Sequence, residues 1–291
     1  MSLRERWARP PAFDLSPPPE QVPVTTGLAN VPGGRLFWWD TGGAGEPVVF
    51  QHPATGSAHM WLYQQPVFAK AGYRVIGWSR RGHRGSDPVD PAAPGSASTD
   101  LACLVDALGI DRFHAVASAA GGAISVDFAL SHAPRLLSLS LTSCVGGVQD
   151  PDYLALSQRI RPPGFDDLPS EFREVGPSYR ARDPEGVKRW LALEHGAVTG
   201  LRVGQTPVNH ITFAALENLR VPTLLMTGDA DLWMPPPLMR LYAARLPLSE
   251  LVIAPECGHA VYWEAPEVFN EVVLGFIARH GGVSPTLPLT S

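Results

Sequence analysis

His114-Ala-Val-Ala-Ser-Ala-Ala-Gly-Gly122 passes from an apolar, strand-like run directly into a glycine-led helical run. A strand-to-helix turn that tight forces the residue at its tip into strained backbone angles, so the positions two before and two after it must be small. Ala117 and Gly121 meet that need when Ala119 is the tip. Placing Ser118 there instead puts Val116 and Ala120 at the small positions and moves Gly121 and Gly122 out of register. Ser118 therefore reads as a hydroxyl at the start of a helix. This register decides the fold class, because a strand feeding straight into a helix is the repeating step of an α/β sheet.

The alternation extends outward in both directions. Short β-rich runs occupy 35–39, 48–50, 74–78, 114–117, 137–141, 223–227 and 251–254, and helical patterns occupy 61–71, 100–108, 122–131, 236–246 and 266–278. In the second of these helices Leu101, Leu104, Val105 and Leu108 recur at helical spacing, with Ser98 or Thr99 placed to cap the first N–H groups. Between Cys144 and Val221 the alternation stops, and helical stretches at 153–161, 169–173 and 184–195 are separated by Pro and Gly. The expected architecture is α/β: a mostly parallel central sheet flanked by helices, built from 25–144 and 221–280, with a helical cap inserted at 145–220. Residues 1–24 and 281–291 have the composition of loosely ordered ends. A connection as long as the cap is usually functional, often as an active-site lid.

Three further loops follow apolar strands. Thr227-Gly-Asp-Ala-Asp231 carries two carboxylates, and Asp231 reads plainly as a turn aspartate before Pro235, although Asp229 is available for that job. Cys257-Gly-His-Ala-Val-Tyr-Trp-Glu-Ala-Pro266 places His259 after a glycine, 28 residues beyond Asp231. Phe50-Gln-His-Pro-Ala-Thr-Gly56 follows the strand at 48–50. Together with the turn at Ala119, these motifs resemble the α/β-hydrolase family over about residues 25–280.

The resemblance implies a role for each loop. It makes Asp231 the acid that holds and stabilises the His259 imidazole, and His259 the general base, in the chain order nucleophile, Asp, His. It places the oxyanion-hole donors at the backbone N–H groups of Ala54 and Ala120. Pro53 stands where the family has glycine, which leaves the following N–H intact. A last stretch, Ser79-Arg-Arg-Gly-His-Arg-Gly-Ser86, differs from the family pattern at an acidic and a glycine position and is taken as structural. The main departure is the nucleophile: Ala119 has no atom that can attack a carbonyl.

The resemblance thus implies a Ser-His-Asp hydrolase of carboxylic esters, present here as a nearly inactive form with alanine at the nucleophile position, made to trap substrate. Carbon–carbon bond hydrolysis of a ring-cleavage diketone is the nearer rival, because Cys257 to Glu264 with Phe269-Asn270 is similar to the loop of those enzymes. A natural ligand-binding pseudoenzyme is a second. An aspartate nucleophile, as in dehalogenases and epoxide hydrolases, also fits the turn, with Tyr153 and Tyr179 available in the cap. Trp61, Trp233, Met234 and Trp263 lie beside the motif loops and, with Ser118, Tyr153 and Tyr179, are the candidates for a substrate pocket. The cap also supplies Arg159, Arg161, Arg173, Arg180, Arg182 and Arg189, along with Phe165 and Trp190, and an inward-facing arginine would suit a substrate carboxylate.

The bulk numbers narrow the partners. The 291 residues, 45% hydrophobic and 18% charged, suffice for one sizeable core. A net charge of −5 gives no attraction to nucleic acid or an anionic membrane. Cys103, Cys144 and Cys257 lie far apart with no CxxC spacing, which suggests neither a disulfide framework nor a zinc site and fits a reducing cytoplasm. No cofactor or metal is implied; the expected partner is a small ester or related carbonyl compound, and a homodimer is left open.

Overall fold

The strand before Ala119, β5 (Phe113–Ser118), is buried at every position and lies inside an eight-stranded sheet. The computed structural model describes residues 17–144 and 146–282. The other strands are β1 (Thr25–Val31), β2 (Gly34–Asp40), β3 (Pro47–Gln51), β4 (Arg74–Trp78), β6 (Leu136–Thr142), β7 (Thr223–Gly228) and β8 (Ser249–Ala254). Their order is β1-β2-β4-β3-β5-β6-β7-β8. From β4 to β8 all pairings are parallel, while β2 pairs antiparallel with both β1 and β4. The central strands are near-continuous apolar runs because helices cover both faces. Alternate residues go to opposite sides: Val48 and Phe50 join one hydrophobic cluster, Val49 the other.

Strand β1 is absent from the sequence reading, and its composition explains why. Thr25-Thr-Gly-Leu-Ala-Asn-Val31 is mostly exposed on the edge of the sheet, and its pairing with β2, from Thr25 opposite Asp40 to Val31 opposite Gly34, is imposed by the hairpin. Segment 17–24 also departs from expectation. It is irregular yet tied to the body, with Val22 N–H donating to Gln65 Oε1 at 3.1 Å and Gln65 Nε2 donating back to the Val22 carbonyl at 2.7 Å. The rest of the ends expected to be loose, 1–16 and 283–291, lies outside the described residues.

Among the helices, α1 (Gln65–Lys70), α2 (Ala97–Ala107) and α3 (Ala120–His132) follow β3, β4 and β5. The helix expected at 61–71 is shorter, because a 3-10 turn at Ala58–Met60, capped by Ser57, precedes it and Trp61 belongs to neither. Helix α2 starts before the expected caps: Ser96 stands at its N-cap without capping a helix N–H through its side chain, and the Ser98 hydroxyl donates to Asp127 on α3 instead. Between β6 and β7 lie α4 (Pro151–Arg159), α5 (Ser170–Glu174), α6 (Pro177–Arg182), α7 (Pro184–His195) and α8 (Phe213–Leu216). This excursion is stitched to loops at the C-terminal ends of the strands: Arg84 N–H donates to the Ala197 carbonyl at 2.7 Å and Thr199 N–H to that of Gly82 at 3.0 Å. Helix α9 (Pro236–Ala243) follows β7, and α10 (Val261–Glu264) and α11 (Pro266–His280) follow β8.

Candidate active site

Ala119 is where β5 hands over to α3. Its backbone is left-handed, φ 50° and ψ −117°, a conformation that a residue with a Cβ adopts only when its surroundings impose it. The Ala119 N–H donates to the Thr142 carbonyl and its own carbonyl accepts from Gly122, both at 2.9 Å. The glycine pair lets α3 press against the strand ends. A Cβ on Gly121 would fall 2.3 Å from the Gln51 carbonyl oxygen, and one on Gly122 would fall 2.2 Å from Cys144 Sγ. Ser118 does not start the helix as expected; it ends β5, buried, with its Oγ unpartnered.

Asp231 and His259 stand on the loops after β7 and β8, at the same edge of the sheet as Ala119. The Asp231 carboxylate accepts from the N–H groups of Trp233 at 2.8 Å and Met234 at 2.9 Å, and from the Thr227 hydroxyl at 2.9 Å. Both its oxygens also lie 2.9 Å from His259 Nδ1. The turn role and the imidazole-holding role, alternatives in the sequence, are filled by one side chain. With Nδ1–H donated to Asp231, Nε2 is left as the basic nitrogen.

Two buried glutamates complete this side of the site. The Glu174 carbonyl accepts from His259 N–H at 2.8 Å and Ala260 N–H at 3.0 Å, and its carboxylate accepts from the Thr55 hydroxyl at 3.0 Å. Glu264 accepts from the N–H groups of Gly176, Gly258 and Ala260 at 2.8, 2.9 and 3.1 Å. Burial pulls the His259 imidazole toward neutrality, but the Asp231 charge and hydrogen bond, with Glu174 and Glu264 beyond, outweigh it and raise its pKa above the ordinary value. Burial pushes Asp231 the other way, yet His259, the Met234 N–H and the Thr227 hydroxyl hold its carboxyl below the usual range. Burial raises Glu174, and it lifts Glu264 to about 7 against its three N–H donors.

Ala120 opens α3, where the first N–H groups have no intrahelical acceptor, and the Ala54 N–H donates to no backbone acceptor among the described residues. Both alanines line a cavity of about 340 Å³. Ala119 and His259 do not line it; they are 4% and 3% exposed, so the imidazole is buried while the residues expected to carry the oxyanion donors border open space.

The expected pocket residues divide. Trp233 is near the imidazole, 6.2 Å between ring centres, with Phe165 at 4.8 Å and the Arg161 guanidinium at 4.6 Å on its ring and Arg173 at 5.8 Å. Met234 reaches the site through its backbone, which binds Asp231, while its side chain is core. The other aromatics are core residues, and the structure corrects the reading. Trp61 packs on Phe50, Tyr262 and Phe269, and Trp263 on Tyr63 with its Nε1–H donating to the Gly186 carbonyl. Tyr153 packs on Phe213 and Tyr242, and the Tyr179 hydroxyl donates to Asp183. Adjacent position in sequence misled here because each ring turns toward the core rather than the loops.

Sequence reasoning missed Glu174 and Thr55, whose contact joins residues 119 positions apart and leaves no local signal. It also set aside Ser79 to Ser86 as structural, whereas Arg80, Gly82 and His83 line the cavity. The change of the acidic position to Ser79 was the available signal. Among the described residues no group of three His, Cys, Asp or Glu could hold a metal ion, and no helix is long and apolar enough to cross a membrane.

A parallel sheet with a strained strand-to-helix tip and an Asp-held histidine two loops away defines a hydrolase-fold class, and comparison with known proteins agrees. The alpha/beta hydrolase family model matches residues 48–272, and the chain belongs to that family. The chain is 29% identical to the 2-hydroxy-6-oxononadienedioate/2-hydroxy-6-oxononatrienedioate hydrolase of Paraburkholderia xenovorans, over 84% of this chain and 91% of that one. Among solved structures, Est816, an N-acyl homoserine lactone degrading enzyme, matches with TM-score 0.71 and 26% identity over 86% of this chain and 100% of its own. A thermophilic esterase from Thermogutta terrifontis shares the fold with TM-score 0.69 and 22% identity over 88% and 100%.

Proposed function

We propose that this chain carries the site of a carboxylic ester hydrolase of the Ser-His-Asp type, with alanine in the nucleophile's place, so that it holds a substrate without turning it over. The observation that carries this reading is the left-handed Ala119, φ 50°: backbone strain is retained at a tip whose alanine makes no use of it. The Asp231–His259 pair and the free N–H groups of Ala54 and Ala120 support it, as does likeness to an enzyme that degrades a lactone, a cyclic ester.

With a hydroxyl at position 119, its oxygen bonds to the ester carbonyl carbon while its proton passes to His259 Nε2, and the oxyanion is held by the two N–H groups. Collapse breaks the bond to the alcohol, which leaves with the proton from His259. Water then repeats both steps against the acyl group and releases the acid. Asp231 stays ionised and stabilises the imidazolium throughout. Without the hydroxyl no acyl-enzyme forms, and turnover falls by a factor on the order of 10⁶ in a well-studied serine protease.

The test compares this chain with Ala119→Ser on p-nitrophenyl esters, half-esters and ring-cleavage diketones. A rise in ester turnover of about 10³-fold or more is expected; no cleavage by either protein overturns the hydrolase reading. A rise confined to diketones would favour the carbon–carbon reaction, toward which likeness to the nonadienedioate hydrolase points. The codon at position 119 in the encoding gene separates a substitution introduced to trap substrate from a natural ligand-binding chain.

A further inference from the structure

The cavity beside Ala54 and Ala120 holds a cation with no partner charge. Arg80 lines it and is 9% exposed. Its Nη2 donates to the Pro53 carbonyl at 2.9 Å and lies 3.3 Å from His52 Nδ1, while its Nε has no hydrogen-bond partner. No carboxylate is among its partners in the described residues. Neighbouring Arg81, by contrast, has an ionic partner, its Nε lying 2.8 Å from the buried Asp100 carboxylate, although its Nη1 is unpartnered. The cost of burying a guanidinium is recovered only through an ionic partner with good geometry, so Arg80 lacks a counter-ion that Arg81 has.

Other groups on the cavity wall do not supply one. Asp127 is a carboxylate, but its oxygens are already taken by the Ser98 hydroxyl, the Val208 N–H at 2.9 Å, and the Asn209 N–H and Nδ2, each at 2.8 Å. Burial holds His83, on the wall, down to about 4 and His52, behind Arg80, well below its ordinary value, so both imidazoles are neutral near pH 7 and add no charge. Arg202 also lines the cavity, 60% exposed at its side chain and 3.9 Å from Glu194, and its charge adds to that of Arg80. One wall carboxylate is saturated with donors and one wall cation is left short of an acceptor.

We propose that this cavity is a subsite for a carboxylate on the substrate's acyl side, with Arg80 as its counter-ion. A planar guanidinium matches a carboxylate better than it does a neutral ester. Arg80, Ala54 and Ala120 line the same cavity of about 340 Å³, so the carboxylate and the reacting carbonyl belong to one short chain: a half-ester of a dicarboxylic acid or a keto acid. The assignment rests on the reading of Ala54 and Ala120 as the place where a substrate carbonyl sits, though not on turnover.

The test is calorimetric titration of the unaltered chain, which lacks a nucleophile and leaves the ligand intact, with monomethyl glutarate and with dimethyl glutarate. The half-ester is expected to bind at least about tenfold more tightly; equal affinities, or a preference for the diester, overturn the subsite. Arg80→Gln is expected to remove the preference, so that half-ester and diester bind alike, and Arg80→Lys to keep part of it. A preference undiminished in a folded Arg80→Gln overturns the role of Arg80. Should that variant fail to fold, the unaltered chain still decides the matter. Hydrolysis of neutral esters by Ala119→Ser without any half-ester preference sinks this inference alone, and half-ester preference without hydrolysis by Ala119→Ser sinks the esterase reading alone.

Discussion

On the imidazole side of the Ala119 turn, His259 is 3% exposed, its Nδ1 is paired with Asp231 at 2.9 Å, and chain packs directly on chain. On the cavity side, Arg80 borders about 340 Å³ of open space and has no carboxylate among its partners in the described residues. Both regions are buried and polar, yet the first pairs its histidine with a carboxylate of the protein, while the second leaves Arg80 without one. A proton-handling pair must be preorganised before substrate arrives, so its partners belong to the protein. A recognition site has to leave valences for the ligand, so its deficit is visible in the free chain.

The sharpest way to break this comparison is to remove the imidazole from a form that turns over. In the Ala119→Ser background, His259→Ala is expected to lose about 10³-fold or more of the ester turnover that the serine supplies, because nucleophile and base act as a unit. Steady-state hydrolysis of a p-nitrophenyl ester measures it. Unchanged turnover would mean that the buried pair is structural and that the comparison names the wrong side as the chemical one.

Packing offers a second test. A Cβ on Gly258 would lie 2.4 Å from the Gly176 backbone nitrogen and 2.8 Å from its Cα, so backbone must move. Gly204, on the cavity wall, has nothing within 4 Å of the same position. Gly258→Ala is expected to cost about 2–4 kcal/mol in urea unfolding, and Gly204→Ala to stay within about 0.5 kcal/mol. Equal costs would show the two regions to be alike in tightness.

The sequence made one of these regions legible and hid most of the other. The Ala119 turn, Asp231 and His259 lie on short loops after apolar strands, where small-residue spacing and strand-loop order are local signals; the helix at Pro184–His195 was read to its limits for a similar reason, having a proline start and a cap supplied by Asp183. Strand β1 was missed because an edge strand needs little apolar pattern, and its partner β2 dictates its conformation. The cavity was missed because its wall is assembled from five separated segments, and whether Arg80 has a carboxylate partner is a fact of tertiary structure. The aromatic residues failed in the reverse direction: Trp61 and Trp263 flank the right motifs but turn into the core, and side-chain direction inside a loop is set by packing that sequence spacing does not encode.

The smallest effect is the most specific to the imidazole side. His259 is raised by Asp231 first and by Glu174 and Glu264 after it, against burial. Asp231→Asn removes the largest raising cause and leaves burial, so the imidazole pKa is expected to fall from above the ordinary value toward or below it. Glu174→Gln keeps an acceptor for the Thr55 hydroxyl and removes a more remote charge, so a smaller fall is expected. Proton NMR titration of the His259 ring should therefore rank the unaltered chain highest, Glu174→Gln next and Asp231→Asn lowest. The sign carries over to stability. A raised His contributes stability that is fully present below its unfolded value near 6.5 and is lost as pH rises through its folded value. That contribution should shrink in Glu174→Gln and shrink further, or reverse, in Asp231→Asn. A Glu174→Gln titration superimposed on that of the unaltered chain would show that Glu174 holds the His259 loop through its carbonyl alone and that its carboxylate serves Thr55, which would move that side chain from the imidazole to the oxyanion loop.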